Sequence, residues 1–160
     1  MEPTAKPCSV CRKEVAPSTV VTMTGEEAGV RMGIDGMPVL RCAEGHRRFV
    51  TADFAIRLMQ ALTDDGRLAP IPAAAQKGLF RKRPHCPACG KELGEPAAER
   101  TQVSRTLELG GGGAFSVRIE MPKYRCTACG KECVPAEAIL GDALMKASVH
   151  AFRSAELRPT

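Results

Sequence analysis

Seven of the eight cysteines and one histidine fall into short spacings that are typical of metal-binding knuckles. In the second half of the 160-residue chain, two Cys-x-x-Cys pairs are separated by 36 residues. Each pair offers two thiolates, so two such turns complete a tetrahedral structural zinc site. Four thiolates also bind iron, but the sequence has few aromatic residues to pack around such a site. We therefore predict zinc on Cys86, Cys89, Cys126 and Cys129.

The first half carries the same arrangement with one change of ligand. Cys8-Ser-Val-Cys11 is the first knuckle, and Cys42-Ala-Glu-Gly-His46 takes the place of the second. Gly45 stands where the second half has a cysteine, and His46 follows it directly. Three thiolates and an imidazole are a normal structural zinc set, so a second zinc is predicted on Cys8, Cys11, Cys42 and His46. The alternative is a degenerate site with His46 on the surface.

Two further residues near the second site could compete with its ligands. Cys133 aligns with Phe49 of the first half, so we expect a small buried residue there and not a fifth ligand. His85 precedes Cys86, but the geometry of the Cys-x-x-Cys turn favours the thiolate.

Catalysis is not expected at either set of ligands. A closed set of four ligands leaves no position for water or substrate. The motifs of zinc peptidases, of deaminases and of phosphate-binding loops are also missing from the sequence. We expect a protein that is not an enzyme and has no small-molecule substrate.

The two halves are related by an internal duplication, which also predicts the elements that hold the ligands. Met37 to Cys42 reads MPVLRC, and Met121 to Cys126 reads MPKYRC, 84 positions later. Between the knuckles of each half, alternating apolar residues on both sides of a glycine-containing turn predict a β-hairpin. After the second knuckle of each half, an apolar stripe predicts an amphipathic helix.

Capping signals give the expected limits of these helices. Thr51 is a suitable N-cap for the first helix, which is expected to end at Asp65 with Gly66 beyond it. Pro135 suits the first position of the second helix, which is expected to reach Glu156.

This order of knuckle, hairpin, knuckle and short strand resembles the zinc-ribbon fold group, with rubredoxin-like knuckles, over about residues 6–50 and 84–135. The resemblance implies a small, metal-stabilised α+β fold of two tandem zinc ribbons, each followed by an amphipathic helix. The expected domains are a first ribbon with its helix (1–66), a Pro-, Ala- and Arg-containing linker (67–84) and a second ribbon with its helix (85–160). The knuckles of the second half also resemble those of small bacterial double-CxxCG proteins, some of which are toxin-immunity proteins.

The charge of the chain is uneven, and it suggests where a partner could bind. The net charge is +5; up to Gly78 there are ten Lys and Arg against nine Asp and Glu, and from Leu79 there are thirteen against nine. Such cations suit an acidic surface or nucleic-acid phosphates. The candidate contacts are Arg81, Lys82, Arg83, Lys123, Arg125 and Lys131.

The expected function follows from zinc sites that serve the structure and do not catalyse a reaction. We expect a non-catalytic interaction or adaptor module that contacts a protein partner in a larger assembly. The alternatives are a transcription-associated, nucleic-acid-binding zinc ribbon and an immunity-type double-CxxCG protein. The scarcity of aromatic residues argues against recognition of single strands by stacking. The sequence shows neither an apolar signal core nor a membrane-spanning run, so a cytoplasmic location without membrane contact is expected.

Overall fold

The computed structural model describes residues 6–20, 22–64, 68–110 and 112–158. Within these ranges the two helices are α1 (Phe54–Thr63) and α2 (Glu137–Ser154). The strands are β1 (Val15–Val20), β2 (Met23–Glu27), β3 (Val30–Asp35), β4 (Met37–Cys42), β5 (Arg47–Phe49), β6 (Ala75–Lys77), β7 (Arg83–His85), β8 (Arg100–Glu108), β9 (Ala114–Pro122), β10 (Tyr124–Arg125), β11 (Glu132–Cys133) and β12 (Leu157–Arg158). The expected fold class is confirmed: a small α+β protein of mostly antiparallel strands, with two cysteine clusters that could bind metal.

The predicted hairpin of the first half is present, but it is bent into two parts. β1 pairs with β4, and β2 pairs with β3, so one pair of strands continues into the next. The two parts meet where the amide of Gly36 donates to the carbonyl oxygen of Val20 at 2.8 Å. The pair β1–β4 belongs to a sheet of order β1–β4–β5–β12, and the pair β2–β3 belongs to a second sheet. The bend thus connects the sheet that contains Cys42 to the second sheet.

That second sheet is shared by the two halves. Its order is β2–β3–β9–β8, with the hairpin β8–β9 coming from the second half. At the junction, Gly33 pairs with Arg118 and Ile34 pairs with Val117. With the offset of 84, Gly33 corresponds to Val117 and Ile34 corresponds to Arg118. The junction therefore pairs equivalent residues reciprocally, which is the pattern of a two-fold symmetric, isologous interface.

Each helix packs against the hairpin of the other half. Helix α2 lies on β2 and β3, so closely that a Cβ atom at Gly25 would be 2.0 Å from the carbonyl oxygen of Ala147. Helix α1 faces the second hairpin: the ring centroids of Phe54 and Phe115 are 6.0 Å apart. The guanidinium of Arg105 in β8 donates to a backbone oxygen near the end of α1 at 3.0 Å. The helices thus exchange partners across the junction.

The repeated Met-Pro pairs also serve this exchange. Met37 and Met121 are both buried in the one core cluster that the two halves share. A Cβ atom at Gly112, in the second hairpin turn, would lie 2.4 Å from the Cβ of Pro38. In the other half, a Cβ atom at Gly29 would lie 3.0 Å from the Cγ of Pro122. Each proline therefore supports the hairpin turn of the opposite half. The boundaries 1–66 and 85–160 follow the duplication, but they do not enclose two separate cores.

The segment predicted as a linker is folded over its described part, 68–84. Leu68 and Ala69 are buried against the shared core. The amide of Ala74 donates to the oxygen of Val134 at 2.7 Å, and the amide of Val134 donates to the oxygen of Pro72 at 2.9 Å. β6 and β7 then form a two-stranded hairpin. Apolar residues between the prolines of this segment therefore pack against the core.

Helix limits differ from the sequence prediction by a few residues. Helix α1 has Asp53 and not Thr51 at its N-cap, and no side chain caps it; Asp65 and Gly66 lie outside the described residues. Helix α2 begins two residues after Pro135 and ends two residues before Glu156. Neither described helix is long and apolar enough to cross a bilayer.

The end of the described chain returns to the first half. After α2, strand β12 pairs in parallel with β5. This pairing was not predicted, because two residues carry no periodic pattern.

Candidate metal centres

The second-half ligands converge at the end of the β10–β11 pair. The Sγ atoms of Cys86 and Cys129 are 3.6 Å apart, and those of Cys89 and Cys126 are 3.5 Å apart. All four sulfur atoms lie within 4.8 Å of one another. A tetrahedral ion with metal–sulfur bonds of about 2.3 Å needs sulfur–sulfur edges of about 3.8 Å. The four thiols are therefore spaced to bind one metal ion.

The first-half ligands have the same arrangement, with a ring nitrogen in place of one sulfur. His46 Nδ1 lies 3.6 Å from Cys8 Sγ and 3.4 Å from Cys42 Sγ. Cys11 Sγ lies 3.6 Å from Cys42 Sγ. A tetrahedral site with one nitrogen ligand needs sulfur–nitrogen edges of about 3.6 Å. The ring of His46 faces the three thiols, so the position it occupies is not the surface position of a degenerate site.

The structure thus brings the eight predicted ligands together in two groups of four. No protein-family model matches this chain, and neither does a curated protein or a solved structure. The assignment of two metal centres therefore depends on the donor atoms and their distances. All eight cysteines are free thiols, so none of these ligands is used in a disulfide.

The three Cys-x-x-Cys knuckles are held by the same short backbone hydrogen bond. In the second half, the amide of Gly90 donates to the oxygen of Cys86 at 2.9 Å, and that of Gly130 donates to the oxygen of Cys126 at 2.8 Å. These turns require a left-handed residue after the second cysteine, with φ of 78° at Gly90 and 75° at Gly130. Glycine adopts this conformation without strain. The glycines after the cysteines therefore shape the turn that aims the thiols.

The same turns set the acidity of the first cysteine in a knuckle. Backbone N–H groups of Cys11 and Val10 point at the sulfur of Cys8 and lower its pKa to about 6. The N–H groups of Cys129 and Ala128 lower the pKa of Cys126 to about 6 in the same way. Because the thiolate is the metal-binding form, the turn favours the charge state that a metal needs.

Cys133 and His85 lie outside both ligand groups. Cys133 is buried beside Leu93 and Cys86, and burial raises its pKa to about 11. This confirms the expectation of a small buried residue. His85 Nδ1 is 2.9 Å from the backbone oxygen of Arg83.

Three of the six cations predicted to contact an acidic partner form ion pairs with carboxylates of this chain. Arg83 pairs with Glu92 at 2.9 Å. Lys123 and Arg125 both pair with Glu132, at 3.2 Å and 2.7 Å. The structure shows no ion pair for the other three candidates in the part of the chain that it describes: Arg81, Lys82 and Lys131. The cations that remain available therefore include two adjacent residues of the turn between β6 and β7.

The apolar part of this turn was not predicted from the sequence. We call residues 75–85, which comprise β6, the turn and β7, the basic hairpin. Leu79 and Phe80 at its tip are 98% and 103% exposed. The available signal was an apolar pair inside a run of cations, which the reading of 67–84 as a linker concealed.

Proposed function

We propose that this protein is a non-catalytic zinc-binding module of the zinc-ribbon type, in which two zinc ions hold a scaffold that contacts another macromolecule. The observation that carries the proposal is the closed geometry of both ligand groups. Four protein donors at tetrahedral spacing leave no coordination position for a water molecule or a substrate. Thiolate and imidazole donors suit zinc, which has no redox chemistry of its own.

The position of the two centres supports a structural role. Each one joins two knuckles that are far apart in the sequence, at the end of a hairpin that continues into the core. The protein buries no tryptophan and few aromatic side chains, so its core alone offers limited stabilisation. Structural zinc contributes on the order of 10 kcal/mol of binding free energy that is also folding free energy.

Contact with a protein partner in a larger assembly remains our first interpretation of the scaffold. Exposed apolar side chains outside the core support it: Ile56 on α1 and Met145 on α2 are 63% and 50% exposed. Nucleic-acid binding is the second candidate, favoured by the cations of the basic hairpin that have no ion pair among the described residues.

Metal content tests the proposal directly. Protein purified without chelators should contain two zinc ions per chain by elemental analysis. Cys89→Ser and His46→Ala should each lose one ion, from different centres. Replacement of zinc by cobalt should give the intense visible absorption of four-coordinate thiolate sites in both centres. A single metal ion, bound iron, or a cobalt spectrum of higher coordination would contradict the proposal.

A further inference from the structure

The tip of the basic hairpin presents apolar side chains that a folded protein normally covers. Leu79 and Phe80 are almost fully exposed, whereas Phe49, Phe54, Phe115 and Phe152 pack against one another. The turn that projects the pair is tight: Gly78 has φ of 141°, and a Cβ atom there would lie 2.2 Å from the backbone oxygen of Arg81. Only glycine fits this position, so the exposure comes from a defined turn.

Positive charge surrounds this tip on both strands. Between positions 66 and 91 the sequence has six Lys and Arg and no Asp or Glu. Lys77 and Arg83 are paired across the hairpin, and Arg81 and Lys82 occupy its turn. Of these four, Arg83 has an ion pair, with Glu92, and it belongs to the strand pair next to the turn. A stretch without carboxylates suits a ligand whose surface is uniformly anionic.

We propose that the tip of the basic hairpin is a contact site for duplex nucleic acid. Leu79 and Phe80 enter a groove and press against a base step, while Lys77, Arg81 and Lys82 contact phosphates on the two sides of that groove. Apolar wedges of leucine and phenylalanine flanked by cations are a known means of unstacking and kinking a duplex. The inference rests on the proposed function in one respect, since Cys86, a zinc ligand, directly follows β7 and anchors the hairpin.

Three other ligands suit the tip less well. A single strand is bound by successive stacking aromatics, and the basic hairpin has one phenylalanine, Phe80, and no tyrosine or tryptophan. A membrane surface is bound by a wider apolar face than two side chains. An acidic protein would present separate carboxylates and not a continuous row of phosphates. It also has no stacked bases between which Leu79 and Phe80 could insert. These ligands are therefore outcomes that the test must distinguish.

The test uses the full zinc-loaded protein and a short DNA duplex with a donor dye and an acceptor dye at its ends. Binding of the wild type should bend the duplex and raise energy transfer between the dyes. Its affinity should fall with salt with a log–log slope of about −3, since each of three phosphate contacts contributes about −0.9. The double variant Leu79→Ala/Phe80→Ala should bind about tenfold more weakly and lose the bending signal, with its slope unchanged.

A second variant separates phosphate contact from wedging. Arg81→Ala/Lys82→Ala should reduce the magnitude of the slope by about 1.8, which is two contacts of about 0.9 each. The matched control is Val149→Ala/Arg153→Ala, which removes one exposed apolar residue and one exposed cation from α2. It should leave both affinity and bending unchanged. Elemental analysis of each variant should still give two zinc ions.

Each contrary result overturns the inference. These results are equal duplex binding by the wild type and the Leu79/Phe80 variant, absence of bending, tighter binding of the corresponding single strand, and tighter binding of phosphatidylcholine–phosphatidylserine vesicles or polyglutamate than of the duplex. Any of them with two zinc ions bound refutes the duplex contact and leaves the proposed function standing. Loss of zinc from the wild type would instead refute the proposed function.

Discussion

At the scale of single residues, the two halves form the same knuckle turn with different side chains. Gly90 follows the first Cys-x-x-Cys of the second half, and Arg12 occupies the equivalent position in the first half. Arg12 has φ of 62° and donates its amide to the oxygen of Cys8 at 2.9 Å, as Gly90 does to Cys86. A side chain in the left-handed region is strained. The first knuckle therefore carries strain that the second one avoids.

Arg12→Gly should stabilise the protein. Relief of the strained backbone outweighs the greater freedom of glycine in the unfolded chain, so we expect a gain of about 0.5 kcal/mol in the free energy of unfolding. At the equivalent position of the second half, Gly90→Ala should lower the free energy of unfolding by about 1 kcal/mol. Denaturant titration of the zinc-loaded proteins measures both, and a loss of stability in Arg12→Gly would show that the arginine side chain matters more than its backbone.

Cys133→Ser should keep two zinc ions and lose stability. The change places a hydroxyl in an apolar environment beside Leu93, which costs about 1–3 kcal/mol when the hydroxyl finds no partner. Cys129→Ser, in contrast, should lose one zinc ion. Elemental analysis and thermal unfolding distinguish the two. Zinc loss from the Cys133 variant together with retention in the Cys129 variant would reverse the assignment of ligand.

The carboxylate of Glu26 should titrate below its usual range. Arg31, and then Arg100 from the other half, hold the pKa of Glu26 below 4.5. A depressed pKa stabilises the folded state above the ordinary value, and this contribution disappears as the pH falls through the lowered one. Arg31→Ala should therefore raise the pKa of Glu26 towards 4.5, as measured by NMR of the side-chain carboxyl. An unchanged value would mean that this ion pair does not persist in solution.

At the scale of elements, the contact of α2 with β2 depends on the absence of a side chain. Gly25 faces the helix backbone with no room for a methyl group, whereas Gly141, within α2, has no atom within 4 Å of where a Cβ would lie. These two glycines therefore predict opposite effects for the same substitution.

Gly25→Ala should destabilise the protein, and Gly141→Ala should stabilise it. The first change forces α2 away from the sheet, at a cost of about 1–3 kcal/mol. The second replaces a poor helix former, with a gain of about 0.5–1 kcal/mol. Denaturant titration checks both changes. If Gly25→Ala proved neutral, the helix would not lie as closely on β2 as the structure shows.

The strands, the helices and the candidate ligand residues were largely predictable from the sequence. Which strand pairs with which, and which hairpin each helix covers, was not. Alternation in Phe115, Val117 and Ile119 predicts a strand with one buried face, and these residues are buried. The same alternation is satisfied by any antiparallel neighbour, so it does not reveal that β9 pairs with β3. The apolar stripe of α2 likewise indicates a buried face without naming the hairpin beneath it. Apolar character alone does not define that face, since Ile139 of α2 is also apolar but 45% exposed.

At the scale of the whole molecule, the reciprocal exchange of helices makes each half incomplete alone. Without α2, the sheet face of β2 and β3 would be exposed to solvent; without α1, the face around Phe115 would be exposed. The shared core therefore predicts one cooperative folding unit.

Two polypeptides that cover 1–66 and 67–160 should fold only together. Each alone, with zinc, should give poorly dispersed NMR spectra, because its hairpin lacks the helix that covers it. Mixed in equal amounts with zinc, they should give the dispersed spectrum of the intact chain. Separate folding of either piece would show that the predicted domain boundaries also divide the molecule energetically.

The reciprocal pairing of Gly33 with Arg118 and of Ile34 with Val117 has a consequence for how such a molecule can change over generations. In an assembly of two identical chains, every substitution appears twice, so neither copy can specialise without the other. Within one gene the copies mutate separately. In this chain the candidate ligand is His46 in one half and Cys129 in the other, and the basic hairpin between the two halves occurs once. If a ligand binds this hairpin, we expect it to bind in one orientation, because the hairpin is an asymmetric surface on a frame of near two-fold symmetry.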